Sequence, residues 1–150
     1  MTKVILLDAG PLGLVTNPNL SPESTKCTQW LQSHLKAKSR IIIPEIADYE
    51  VRRELLRANK AKRLRRLDSL AQVIEYLPIS TEAMRHAAKL WAQARQQGQP
   101  TAGDKTIDGD MILIAQALTL PVENVEIATT NIGHLSRFTT AALWQNIETS

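Results

Sequence analysis

The 150 residues hold a single cysteine, Cys27. That excludes an internal disulfide framework and leaves no cysteine pair for a zinc site; it fits a reducing cytoplasm. Aromatic side chains make up only 4%, too few to build nucleic-acid recognition on base-stacking platforms. No stretch approaches the ~20 consecutive apolar residues that a membrane span requires. The opening Met1-Thr2-Lys3 and the short apolar run Val4 to Leu7 lack the length and cleavage site of a signal peptide. Repeats, low-complexity tracts and Gly/Ser linkers are missing as well. These absences predict one soluble, cytoplasmic domain over residues 1–150.

What is present is ordinary in bulk, with 43% hydrophobic and 22% charged residues, but the charge is unevenly placed. Between Arg52 and Arg66 stand eight basic residues against one acid, Glu54, a local charge of +7. The whole chain carries +3, so the remainder is near −4. A concentrated basic patch on an acidic body points to a polyanionic partner, although a solvated helix face gives the same pattern.

Hydrophobic periodicity predicts alternating strands and helices. Val4 to Leu7 and Ile41 to Ile43 are continuous apolar runs, as expected of parallel strands covered on both faces. Ser21-Pro22-Glu23 starts a helix whose face holds Cys27, Trp30, Leu31, His34 and Leu35. A helix from about Glu45 enters the basic window and a further segment runs to Leu70. A short strand lies around Ile74 to Ile79, and Thr81 caps a helix with a stripe of Ala83, Ala87, Leu90, Trp91 and Ala94. Gln96 to Asp108 reads as a loop, Met111 to Leu120 as a helix opened by Asp108-Gly109-Asp110, and Val125 to Thr129 as a strand, with the last strand within Ala141 to Ile147. Trp30 and Trp91 read as core, and His34 and His86 as packed core-edge residues. This order predicts an α/β fold of three layers (α/β/α) with a parallel sheet of about five strands.

In such sheets the site lies at the carboxyl ends of the strands. Asp8 follows the first strand, Glu50 lies on a helix after the second, Asp110 opens a helix, and Asn131 follows the strand ending at Thr129. Carboxylates converging there repel one another unless a cation lies between them. Oxygen ligands without His/Cys pairs favour Mg²⁺ or Mn²⁺ over zinc. Each residue also has a plainer reading: Asp8 as a turn cap, Glu50 as a partner of Arg53, Asp108 and Asp110 as helix-start residues. A phosphotransferase of the haloacid-dehalogenase type needs a second acid two residues after the first, where Gly10 stands, and the Gly-Lys-Ser/Thr ending of a phosphate loop is missing.

Four segments in order, "VILLDAGPLG", "IADYEVRREL", "DGDMILIAQAL" and "IATTNIGHLSRF", resemble the PIN-domain family, and within it the VapC-like toxins, over essentially the whole chain. The resemblance implies a metal-dependent endoribonuclease of a toxin–antitoxin pair, a homodimer, and an inhibitory antitoxin covering the acidic site. Position by position it implies Asp8, Glu50 and Asp110 as the ligands of Mg²⁺ or Mn²⁺. Asn131 takes the fourth acidic position, keeping a carbonyl oxygen but losing a charge; Asp108 is a candidate to offset that loss. Thr130 matches the rim threonine. Arg52, Arg53, Arg57, Lys60, Lys62 and Arg63 are the expected contacts to the RNA backbone. His134 is near the rim and receives no proton-transfer role. Two alternatives stay open: a non-catalytic RNA binder with a degenerate site, and a protein-interaction module with an incidental acid cluster.

Overall fold

The computed structural model describes residues 3–97, 104–133 and 135–149. Five strands, β1 (Val4–Leu7), β2 (Arg40–Pro44), β3 (Glu75–Leu77), β4 (Val125–Thr129) and β5 (Ala141–Leu143), form one sheet in the order β3-β2-β1-β4-β5. Every pairing is parallel, with Ile5 opposite Ile41 and Glu126, and Leu7 opposite Ala128. Among the described residues six α-helices cover it: α1 (Ala9–Val15), α2 (Pro22–Lys36), α3 (Glu45–Arg57), α4 (Ala61–Val73), α5 (Thr81–Gln96) and α6 (Asp104–Leu118). No helix among the described residues is long and apolar enough to cross a membrane.

Strand alternation divides the apolar residues between two cores. Val4, Leu6, Ile42 and Ile127 pack on one face with Ala83, Ala87 and Leu90 of α5 and Met111, Ile114 and Ala115 of α6. Ile5, Leu7, Ile41, Ile43 and Ala128 pack on the other with Leu12 of α1, Cys27 and Leu31 of α2, Val51 and Leu55 of α3 and Leu67 of α4. All four β1 side chains are buried, and each such residue contributes roughly 1.5–3 kcal/mol by leaving water. The three-layer parallel fold expected from the sequence is the observed one.

Several local expectations are corrected. Helix α5 is capped by Ser80, whose hydroxyl accepts the Ala83 N–H at 3.0 Å, and Thr81 is its first residue. Trp91 is not core: it is 39% exposed and carries the Arg95 guanidinium 4.7 Å from its ring centroid. Leu35 is likewise exposed, at the rim of its helical stripe. His34 lies deeper than an edge residue, fully buried, with Nε2 3.0 Å from the Ile147 carbonyl and Nδ1 3.0 Å from the Ser39 hydroxyl. His86 is half-buried. The expected loop from Gln96 to Asp108 is shorter, because α6 already runs from Asp104; Gly98, Pro100 and Gly103 lie outside the described residues. Asp110 therefore stands inside a helix instead of opening one. Helix α1 was not anticipated at all: it is only seven residues long, too short for a periodic pattern to register.

Candidate metal centre and comparison with known proteins

Parallel pairing brings the C-terminal ends of all five strands to one rim, and the chain leaves that rim in different ways. β1 ends in Asp8, which is extended (φ −69°, ψ 168°) and N-caps α1, its Oδ1 accepting the Ala9 N–H at 2.7 Å. The Asp8 N–H donates to the Ala128 carbonyl at 2.9 Å, continuing the β1–β4 ladder one step past the last paired residues. Thr129 is thereby set beside Asp8. Its buried hydroxyl donates to Asp8 Oδ2 at 2.8 Å, lies 3.1 Å from the Asn131 carbonyl, and accepts the Asn131 N–H at 3.1 Å.

β2 passes directly into α3 through Pro44, and the start of that helix is fixed from two sides. Buried Gln116 of α6 accepts the Ile46 N–H and donates to the Leu77 carbonyl, while Glu45 accepts the Ile79 N–H at 2.7 Å. Glu50 follows one turn after Ile46, on the side of α3 that meets α6. There the backbone of Gly109 approaches its carboxylate so closely that a Cβ would lie 3.1 Å from Oε2. Asp110 follows Gly109, within electrostatic reach of Asp8.

The electrostatics record the convergence. Burial pushes the Asp8 carboxyl up, opposed by the Thr129 hydroxyl and the Ala9 N–H. Burial and then the Asp8 charge raise Glu50, with Asp110 adding and Arg53 opposing. Burial and the Asp8 charge push Asp110 up to about 6. Three half-buried carboxyls thus repel one another across the rim.

Among the described residues, no three His, Cys, Asp or Glu side chains are gathered closely enough to hold a cation as they stand. An oxygen-only set nevertheless suits a hard cation such as Mg²⁺, which keeps several waters and needs only one or two direct carboxylates. The donor chemistry and the mutual repulsion of Asp8, Glu50 and Asp110 fit such a group.

The remaining candidates are distributed unevenly. Asn131 is exposed, and its Oδ1 accepts the Gly133 N–H at 3.1 Å, closing the turn after β4. Thr130 is exposed and packs on α1: a Cβ at Gly10 would come 2.7 Å from its Cγ2. The hydroxyl bonded to an acid is that of Thr129, which sequence reading passed over. No local signal marks it, because only the register that pairs Leu7 with Ala128 puts Thr129 next to Asp8. Asp108 is exposed and lines a groove with Met84, Trp91 and Met111, about 200° around α6 from Asp110. It is not brought to the three acids. His134 lies outside the described residues.

The basic window also divides. Arg52 donates to Asp48 and Asp68, and Asp48, nearly buried, also accepts the Tyr76 hydroxyl at 2.7 Å. Arg57 pairs with Glu54 at 2.9 Å, and Arg63 donates to the Gly13 carbonyl and the Thr16 hydroxyl. Arg53 is exposed and lies 5.2 Å from the Tyr49 ring centroid. Lys60 and Lys62 are exposed, as are Arg65 and Arg66.

Comparison with solved structures agrees with the fold. The chain is similar to chains in the structure of VapBC2 from Rickettsia felis bound to a DNA fragment from their promoter (TM-score 0.67, 19% identity, 94% of this chain and 98% of that one). It is similar to a chain in the structure of FitAcB from Neisseria gonorrhoeae (TM-score 0.67, 20% identity, 96% and 100%), and to one in DNA-bound VapBC from Salmonella typhimurium (TM-score 0.62, 18% identity, 96% and 99%). No curated protein matches the chain. The PIN domain family model matches residues 5–131, the span from β1 to the turn after β4 that carries Asp8, Glu50, Asp110 and Asn131; the chain belongs to the PIN domain family.

Proposed function

We propose that this protein is a divalent-cation-dependent endoribonuclease, the toxin of a toxin–antitoxin pair. The observation that carries the reading is the convergence of Asp8, Glu50 and Asp110 at the sheet rim, each carboxyl raised by burial, with the Asp8 charge acting on both of the others. Mg²⁺ or Mn²⁺ held there supplies charge neutralisation for a phosphodiester and lowers the pKa of a water. Asp8, Glu50 and Asp110 would hold it. Thr129 orients Asp8, and the Asn131 turn borders the site. Exposed Arg53, Lys60 and Lys62, with Arg65 and Arg66, offer the RNA backbone sequence-independent contacts. Arg52, Arg57 and Arg63 have protein partners and are weaker candidates for that task.

The named complexes of the similar structures, VapBC and FitAcB, support a small antitoxin partner, and family resemblance supports a homodimer and a cytoplasmic setting. One observation favours a second reading, a non-catalytic RNA binder: the side-chain oxygen of Asn131, at the usual acidic position, is engaged by the Gly133 N–H.

Cleavage of a labelled structured-RNA pool with Mg²⁺, with Mn²⁺ and with EDTA separates the two. Metal-dependent cutting lost in Asp8→Asn and in Asp110→Asn is the expected result. RNA retained on the protein without cutting in any condition would establish the binder instead.

A further inference from the structure

We propose that Gly109 is a positioning residue for the Glu50 carboxylate. This rests on the reading of Glu50 as part of the cation site. Gly109 lies within α6, flanked by Asp108 and Asp110. Glycine is the poorest helix former after proline, and Gly109 is not among the positive-φ residues, so the backbone conformation does not call for it. The reason lies in space. A Cβ built there would meet Glu50 Oε2 at 3.1 Å and Glu50 Cδ and Oε1 at 3.3 Å, the three atoms nearest to it outside its chain neighbours and its own helix backbone. The bare Cα of Gly109 is the surface against which the carboxylate rests. Gly13 in α1 is the natural contrast, since a Cβ there would meet nothing within 4 Å.

The crowded neighbour is the far end of a flexible side chain. An alanine at position 109 is therefore accommodated by moving the carboxylate a few tenths of an ångström, not by shifting a helix. The fold tolerates that movement. Mg²⁺ tolerates it poorly, because it demands near-ideal octahedral geometry, whereas Ca²⁺ accepts longer and more variable bonds. Helix propensity and site geometry thus pull in opposite directions at one residue.

The test compares wild type, Gly109→Ala and Gly13→Ala by thermal unfolding, by calorimetric titration with Mg²⁺, Mn²⁺ and Ca²⁺, and by crystal structures of wild type and Gly109→Ala. Both variants are expected to melt at the wild-type temperature or roughly 2–4 °C above it. Gly109→Ala weakens Mg²⁺ and Mn²⁺ about 10-fold, in the range found when a residue supporting a ligand is changed, and Ca²⁺ less; Gly13→Ala leaves all three unchanged. Gly109→Ala binding Mg²⁺ as wild type does overturns the proposal, and so does its failure to fold. Wild type that binds none of the three cations sinks the cation-site reading separately. The two crystal structures then decide the positioning claim alone: a displaced Glu50 carboxylate upholds it and an unmoved one overturns it.

Discussion

The Thr129 hydroxyl donates to Asp8 Oδ2 at 2.8 Å and accepts the Asn131 N–H at 3.1 Å. One side chain at the end of β4 therefore joins the acid that follows β1 to the turn that carries Asn131. A buried hydroxyl with partners on both sides cannot be removed without leaving a donor and an acceptor unmatched.

Thr129→Val keeps the shape and deletes that link. It is expected to lower stability by about 1–2 kcal/mol, roughly 2–8 °C in melting temperature. The Asp8 carboxyl, now without the hydroxyl that opposes its burial, titrates at higher pH. Thr129→Ser should restore both properties. Melting curves and carboxyl-carbon NMR titration check this, and a Val variant with wild-type stability and Asp8 titration would refute the link.

Asp110 makes a pH-dependent contribution whose direction follows from its raised pKa. The folded value is about 6 against an ordinary 3.8, so the fold holds the proton more tightly than the unfolded chain does. Stability from this group is present below pH ~4 and is lost as pH rises towards 6. Asp110→Asn removes the penalty. At pH 8 it should be more stable than wild type by about 1 kcal/mol, the partial exposure of the group having been allowed for. At pH 3.5 the difference should vanish. Urea unfolding at the two pH values measures it, and equal gaps at both would discredit the assignment.

A cation at the rim competes with those protons. Adding Mg²⁺ should raise the melting temperature at pH 8, where the three carboxylates are ionised, and leave it unchanged near pH 4. EDTA should reverse the gain. The rise disappears in Asp8→Asn if Asp8 is a ligand. A shift of the same size in that variant would place the cation elsewhere.

The basic helices should separate into structural and nucleic-acid-binding residues. Arg52→Ala leaves Asp48, which is only 9% exposed, without its cation, and should cost about 1–3 kcal/mol with little change in RNA affinity. Lys60→Ala with Lys62→Ala should leave stability within about 0.5 kcal/mol. It should make the salt dependence of single-stranded RNA binding shallower by roughly 0.7 per lost contact. An unaltered salt slope would remove these lysines from the interface.

The layered architecture is legible in local pattern. Apolar runs such as Val4 to Leu7 and the buried stripe of α5 announce their period, because a strand or helix face must be apolar wherever it meets a core. The sequence also set out Asp8, Glu50, Asp110 and Asn131 in an order that resembles the PIN domain. It could not say which of two adjacent threonines turns towards Asp8, since that depends on register between β1 and β4, 121 residues apart at Asp8 and Thr129. Nor could it say which arginines have protein partners: Arg52 is paired through Asp68 on another helix and Arg63 through the end of α1. The same holds for Asp108, separated from Asp110 by one residue but by half a turn of α6. Local pattern reports which face a residue prefers; only the packing of elements distant in the chain decides what stands opposite that face. The closeness of Gly109 to Glu50 is of this second kind, a contact between two helices for which neither helix's own sequence has a reason.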